Sequence, residues 1–274
     1  MKSYCGLNTF KARLGITGAS DDAQLHALLR AASQAVDNYC DRDFQARTET
    51  RYFDGMGDQL PIEDLLSVTT FKLDLNNDGV YEITMAATDY VLYPYSGRKI
   101  FPKTEARIAS QGNYRRFADG VTKGVEIAGL WGYGTGITAT PYATSGGTTN
   151  EGLDATETGV DVSSGALFEV GQTVLVESEQ MYITAISANT LTVRRGENGT
   201  TAATHDTAKT IYIYEYPEEV REAVFIQAGK LWKRRETTFS QVTAIPELGG
   251  FEVNRGLDAD VKFLLSDIKK WVSA

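Results

Sequence analysis

The sequence has little of the residue chemistry that metal centres and catalytic triads need. It holds two histidines, His26 and His205, in 274 residues, and neither has partners at a recognised metal-ligand or catalytic spacing. We predict that His205 is a turn or surface residue. The sequence contains no Gly-x-Ser-x-Gly elbow, phosphate-binding loop or dinucleotide fingerprint. We therefore expect a protein that is not an enzyme and has no cofactor, catalytic residues or metal site.

Cysteine and long apolar runs are also scarce. The two cysteines, Cys5 and Cys40, would meet only if the first helices packed as a hairpin, and we expect two reduced, partly buried thiols. The first residues lack the apolar run of a signal peptide, and no stretch approaches the length that spans a bilayer. These absences predict a soluble protein that is made in a cytosol and has no membrane contact.

Positive charge is in deficit, since the formal net charge is -9. Residues 138–216 carry most of this excess, with three basic and ten acidic side chains. A sequence-reading nucleic-acid binder needs a basic face that neutralises phosphates, so the net charge argues against that class. It leaves open a surface that DNA passes without being held.

Helical patterns stand at the two ends of the chain. We predict a short helix through Leu14 that Gly15 ends, and a second helix from Ser20 to about Cys40 with a single apolar face. Another helix begins at Pro217, with two glutamates in its first turn. Between them, residues 47–131 show short strand patterns. We predict a mainly helical core (residues 1–137 and 217–274) with a small antiparallel sheet, in an α+β protein.

Residues 138–216 interrupt that core. Residues 138–159 are rich in Thr, Ser and Gly and predict a flexible entry linker. Beyond them, apolar and polar residues alternate between turn signals, as in an all-β barrel or sandwich of about five strands. We predict that 138–216 is a β module inserted into a loop and able to fold by itself.

A last helix is predicted over residues 257–273. Its apolar stripe is long for a chain end, where helices usually fray unless they are held. The stripe either docks on a partner or closes the core of its own domain. The candidate partner-binding residues are Leu257, Val261, Leu264, Leu265, Ile268, Lys269, Lys270 and Trp271.

Three further patterns have a functional and a structural interpretation. Asp74, Asn76, Asp78, Gly79 and Glu82 resemble the start of a calcium loop, but Met85 stands where such a loop places its last acidic ligand, and Asn, Asp and Gly are also ordinary hairpin-turn residues. We favour the turn. The basic clusters Arg115-Arg116 and Lys230-Lys233-Arg234-Arg235 are either surface and helix-end charges or contacts with carboxylates of a partner or with DNA.

The order of several packing motifs resembles the head-tail connector (adaptor, or head-completion) proteins of tailed bacteriophages. In the first half, these motifs are Leu14-Gly15-Ile16, Asp21-Asp22-Ala23, Leu28-Leu29, Ala31-Ala32-Ser33 and Tyr39-Cys40-Asp41-Arg42-Asp43-Phe44. In the second half, they are the strand 125–134, Pro217-Glu218-Glu219-Val220 and Arg234-Arg235-Glu236. The motifs at 168–171, 178–181, 189–193 and 195–200 are similar to a small β module of phage neck and tail proteins.

The resemblance implies a virion structural protein that is assembled in the host cytoplasm and located in the neck between capsid and tail. Such connectors form a ring of twelve subunits below the portal protein. The ring extends the DNA channel, lies close to DNA without sequence preference and gives a platform for the stopper or tail-completion protein. The alternative from another class is a tail or baseplate adhesin whose β module binds a host surface glycan.

Overall fold

The computed structural model describes residues 2–97, 100–235, 242–245, 249–252 and 256–270. The chain forms two compact units. One comprises residues 43–142 and 196–201, and the other comprises residues 1–42, 143–195 and 202–274. Within the described ranges, no helix is long and apolar enough to cross a membrane.

The unit around residues 43–142 is built on a six-stranded sheet. Its strands are β1 (Arg47–Phe53), β2 (Gln59–Leu73), β3 (Ile83–Thr84), β4 (Tyr90–Tyr93), β5 (Lys103–Ile108) and β6 (Val125–Trp131). The order is β1-β6-β2-β5-β4, with β3 also paired to β2, and these pairings are antiparallel. Along β6 each second residue is buried, so one face of this central strand lines the core. The largest side chain of that core is Trp131.

The other unit begins with α1 (Leu7–Leu14) and α2 (Asp22–Cys40). Gly15 ends α1 with a φ of 69°, a left-handed conformation that glycine adopts without steric cost. Leu25, Leu29 and Val36 of α2 are fully buried, as the helical periodicity of the sequence predicts. Helix α3 (Glu218–Lys233) follows Pro217 and buries Val220 and Val224.

The same unit contains a six-stranded β-barrel. Its strands are β7 (Tyr142–Thr148), β8 (Gly159–Asp161), β9 (Thr173–Val176), β10 (Glu179–Ser187), β11 (Thr190–Arg194) and β12 (Thr210–Tyr214), in the order β7-β12-β9-β10-β11-β8. A bridge between Thr149 and Val162 joins the two edge strands, and Ser163 donates its backbone N–H to Thr148 O at 3.0 Å. The sheet therefore closes on itself around a separate apolar core. Two further short strands, β13 (Val242–Ile245) and β14 (Gly249–Glu252), pair with each other.

The prediction of a mainly helical core is wrong. The protein is mostly β, with two six-stranded antiparallel sheets. The strand patterns of residues 47–131 underestimate this sheet, and β2 alone spans 15 residues. Register shifts between Pro61 and Leu65, between Leu65 and Ser67 and between Val68 and Thr70 break its alternation. Such bulges place consecutive residues on one face, so the two-residue period that identifies a strand is lost.

Part of the predicted entry linker is also ordered as a strand. Within residues 138–159, β7 pairs with β12, and Gly147 and Thr149 are buried. Ser145 Oγ donates to Ile211 O at 2.5 Å, so small polar residues join the barrel through hydrogen bonds rather than through apolar bulk. That residues 138–216 fold by themselves stays a prediction.

The C-terminal helix is shorter than predicted. Helix α4 spans Ala259–Leu264, and turns follow it through residue 268. The Asp258 side chain caps it by accepting from the Asp260 N–H at 3.1 Å, as short acidic residues do at helix starts. Turns can also space apolar residues three or four apart, so the apolar stripe by itself does not distinguish one long helix from a short helix followed by turns.

Candidate functional site

The predicted partner-binding residues of the C-terminal segment divide into buried and accessible sets. Val261, Leu265 and Ile268 are at most 2% exposed within their own unit. They therefore close the core of that unit, which is the alternative the sequence left open. Leu257 and Leu264 are half-buried, and Trp271 lies outside the described residues.

The two lysines of this set lie against the end of α2. The Lys269 ammonium is 4.6 Å from the centroid of the Tyr39 ring, and the Lys270 backbone N–H donates to Cys40 O at 2.8 Å. These contacts attach the segment after α4 to its own unit. Docking of the segment to another protein stays a prediction.

Sequence reasoning missed Phe263, the most exposed large apolar side chain among the described residues. It lies on α4 with 80% of its surface accessible. Phe263 falls outside the apolar stripe, so periodicity assigned it to the polar face. An aromatic side chain in that position is costly to hydrate and is a candidate contact.

The basic cluster at the end of α3 is largely paired. Lys230 Nζ lies 3.4 Å from Asp258 Oδ2, and Arg235 Nη1 lies 3.6 Å from Asp21 Oδ1. The Arg235 guanidinium also stacks 3.3 Å from the centroid of the Trp232 ring. These contacts favour the structural interpretation of the cluster.

The barrel caps α1. Gly6 at the start of this helix has no side chain to accept a hydrogen bond, and the first N–H groups of a helix need acceptors from elsewhere. Glu169 supplies one: its carboxylate accepts from the Thr9 N–H at 2.9 Å and from Thr9 Oγ1 at 2.6 Å. Leu7 donates to Val170 O at 3.0 Å. The loop 168–172 thus completes the helix that opens the chain.

A buried charged cluster organises the barrel, and the prediction that His205 is a surface or turn residue is wrong on this point. The His205 side chain is 1% exposed, with Nδ1 2.8 Å from Glu177 Oε2 and Nε2 2.9 Å from Glu179 Oε2. Glu179 is fully buried and holds Arg195 through Nε at 2.7 Å and Nη2 at 2.8 Å. It also accepts from the Ala203 N–H at 3.0 Å. Both ends of the 196–204 loop are therefore fixed on one carboxylate.

The remaining charges of this cluster are compensated at the surface. Lys209 Nζ lies 2.7 Å from Glu177 Oε1, and the hydrogen bonds from Lys209 and His205 lower the pKa of the Glu177 carboxyl. The remaining guanidinium nitrogen of Arg195, Nη1, donates to Asp154 O and Glu157 O. A buried ion pair with this many hydrogen bonds is a structural feature whose disruption is costly. Sequence patterns could not find it, because its members, from Glu177 to Lys209, lie up to 32 residues apart in the chain.

The Asp74–Glu82 loop joins β2 to β3 and has the geometry of a turn. Asp74 Oδ1 accepts from the Asn77 N–H at 2.8 Å and Asp74 Oδ2 accepts from the Gly79 N–H at 2.9 Å. One oxygen each of Asp74, Asp78 and Glu82 also lie within 4.8 Å of one another, so these three residues could hold a cation. That no ion is required stays a prediction.

Both cysteines are free and buried, as predicted. Burial raises the pKa of the Cys5 thiol far above its usual value, and burial together with Asp37 raises that of Cys40 to about 12. Both thiols are therefore protonated and unreactive in the folded chain.

Within the described residues, the side chains brought together here are packing and ion-pair groups. Residues 5–70 match the family model described as "Phage gp6-like head-tail connector protein". This match confirms the resemblance to head-tail connector proteins over that part of the chain.

One solved structure, "Neck of empty GTA particle computed with C6 symmetry", is similar with 19% identity and a TM-score of 0.32. The alignment covers 48% of this chain and 66% of that chain, slightly less than two thirds of the latter. No curated protein matches the sequence.

Proposed function

We propose that the protein is a structural subunit of the phage neck, which assembles into a ring below the portal protein, extends the DNA channel and provides the attachment site for the stopper and tail. The observation that carries this proposal is the match of residues 5–70, which include α1, α2, β1 and most of β2. The burial of α2 residues and the end of α1 at Gly15 agree with the packing motifs on which the resemblance rests. The twelvefold stoichiometry is part of the proposal.

The C-terminal segment is the proposed portal contact. Since Val261, Leu265 and Ile268 belong to the core of their own unit, the contact falls on the accessible side of α4. Phe263 provides the apolar anchor, and truncation of a central aromatic residue in an interface costs about 2 kcal/mol or more. Lysines near such an anchor mainly steer association with an acidic partner.

Size-exclusion chromatography with light scattering tests the proposal on the full chain, alone and mixed with portal rings. We expect a ring, or a monomer that joins the portal as a ring. Phe263→Ser should weaken portal binding while the melting temperature is unchanged. Ile137→Ser is the matched control, because Ile137 is a comparably exposed apolar residue at 71%, and this variant should bind like the original chain.

Two results contradict the proposal at different levels. A chain that stays monomeric and ignores portal rings refutes the connector function. If the Phe263→Ser variant binds portal rings as well as the original chain does, the connector function stands, but docking through α4 is refuted.

A further inference from the structure

The unit around residues 43–142 contains a strongly basic segment, although the chain as a whole is acidic. Residues 90–117 carry six basic side chains and one acidic side chain, a net charge of +5, whereas the whole chain carries -9. Two of the six, Arg98 and Lys99, lie outside the described residues. The other four define what we call the basic edge: Lys103, Arg107, Arg115 and Arg116.

The fold places Lys103 and Arg107 on β5, next to the edge strand β4, and Arg115 and Arg116 in the loop that follows β5. Strand β4 is the last strand of the order and pairs only with β5 along this path. Residues alternate between the faces of a strand, so Lys103 and Arg107 share the face opposite to buried Ala106. Lys103 and Arg107 are four residue steps apart along the strand, which corresponds to about 13 Å.

The loop after β5 brings the two remaining arginines to the same end as Arg107. Ala109 donates its N–H to Asp89 O at 2.9 Å, and Asn113 Nδ2 donates to Asp89 Oδ1 at 3.0 Å. Asp89 directly precedes β4, so the loop is folded back on the end of the β4–β5 pair. The chain reaches Arg115 and Arg116 immediately afterwards, and both are exposed.

Much of the positive charge remains uncompensated. Lys103 Nζ donates to Pro94 O at 2.6 Å, and Arg115 Nη1 donates to Gly112 O at 2.8 Å. A carbonyl oxygen has no net charge, so both cations keep theirs. Arg107 pairs with Glu105, and Arg116 pairs with Asp119, but these arginines are 41% and 69% exposed. Solvent-exposed pairs of this kind exchange readily for another anion.

Aromatic rings hold two of the cations in place. The Arg107 guanidinium lies 4.3 Å from the centroid of the Tyr93 ring, and Lys103 Nζ lies 4.5 Å from that of Phe101. A cation stacked on an aromatic face loses less side-chain freedom when it takes an anionic partner. The basic edge is therefore partly preorganised.

We propose that the basic edge binds the phosphate backbone of duplex DNA without reading its sequence. Duplex DNA carries about eight phosphates in the 13 Å that separate Lys103 from Arg107, so each cation finds a phosphate in any register. A protein partner with an acidic surface would instead need carboxylates at positions that match those of the four cations. The high local density of phosphates also explains how a chain of net charge -9 can hold DNA through one edge. The inference rests on the proposed function, in which the protein borders the DNA channel, but its test involves neither portal binding nor ring formation.

Fluorescence anisotropy of a labelled 30-base-pair duplex, measured with the full chain between 50 and 200 mM salt, tests this inference. Each phosphate contact contributes about 0.9 to the slope of log affinity against log salt. Four contacts predict an affinity loss of about 150-fold across this range. The double variant Arg115→Gln/Arg116→Gln should lose only about 12-fold across the same range and bind less tightly at 50 mM. Glu105→Gln, which frees Arg107, should bind more tightly than the original chain.

The matched control removes two exposed cations elsewhere. Arg13→Gln/Lys233→Gln changes the net charge equally and should keep the original salt slope. The proposal is overturned if the duplex does not bind at 50 mM salt, or if the control and the basic-edge variant lose the same affinity. Poly-glutamate serves as a second probe, and preferential binding of that polymer over the duplex would assign the edge to an acidic protein instead.

Discussion

The buried Glu179 carboxylate offers the sharpest test of how the barrel is held together. It faces Arg195 Nε, Arg195 Nη2 and the Ala203 N–H, and it lies 2.9 Å from His205 Nε2. The substitution Glu179→Gln keeps the shape of the side chain but removes its charge. In this variant an NH2 group replaces one of the two carboxylate oxygens, and this donor faces the donors that the oxygen had accepted from. The Arg195 side chain, 6% exposed, then keeps its charge without a counter-ion.

The expected loss of stability is large because the charge of Arg195 cannot move into water. Removing one partner of a buried, hydrogen-bonded ion pair costs about 3–5 kcal/mol. With a urea dependence of about 2 kcal/mol per molar, a loss of about 4 kcal/mol lowers the midpoint of the barrel transition by about 2 M. Urea titrations followed by far-ultraviolet circular dichroism measure this shift.

The matched control is Glu105→Gln in the other unit. Glu105 holds Arg107 through the same two guanidinium nitrogens, at 2.8 and 3.1 Å, but this pair is exposed to solvent. The control should therefore leave the midpoint nearly unchanged. Equal shifts in the two variants would refute the reasoning, because they would mean that water reaches Arg195 as easily as Arg107. The double variant Glu179→Gln/Arg195→Gln should cost less than the sum of the two single changes, since no buried charge is left alone.

Three further predictions follow from other contacts. Glu169→Ala removes the acceptor for the Thr9 N–H and should lower the free energy of unfolding by about 1 kcal/mol. Hydrogen-exchange measurements should then show faster amide exchange at the start of α1, and unchanged exchange would contradict the capping role. Burial raises the pKa of both thiols, so a thiol reagent should label Cys5 and Cys40 only after unfolding. Rapid labelling of the native chain would be inconsistent with their burial. A chelator should leave the melting temperature unchanged, because backbone N–H groups already bind the Asp74 carboxylate; a marked decrease that calcium reverses would show that the Asp74–Glu82 loop holds an ion.

The helices and several strands were readable from local patterns. The apolar spacing of Leu25, Leu29 and Val36 predicts one face of α2, and that face is buried. Gly15 ends α1 and Pro217 precedes α3, as expected for these residue types. The strands β1 to β6 also lie within residues 47–131, where the sequence shows short strand patterns. In each case the signal comes from residues within one or two turns of each other.

Patterns failed where the backbone departs from regular geometry. The bulges of β2 interrupt the alternation of a 15-residue strand, so the extent of this sheet was not evident from the sequence pattern. The C-terminal stripe shows the converse, because its spacing of apolar residues fits a long helix and a short helix followed by turns equally well. Only the observed burial separates Val261 and Leu265, which serve the core, from Phe263, which faces solvent.

The sequence by itself determined the positions of α1, α2 and α3, the glycine that ends α1 and the resemblance to head-tail connectors, which the family match of residues 5–70 confirms. Only the tertiary structure decided that Glu179, Arg195 and His205 meet, that Glu169 caps α1 and that the barrel closes between Thr149 and Val162. The physical reason is the range of the interactions. Helix periodicity and turn chemistry act between near neighbours, whereas these contacts join residues that the path of the chain brings together.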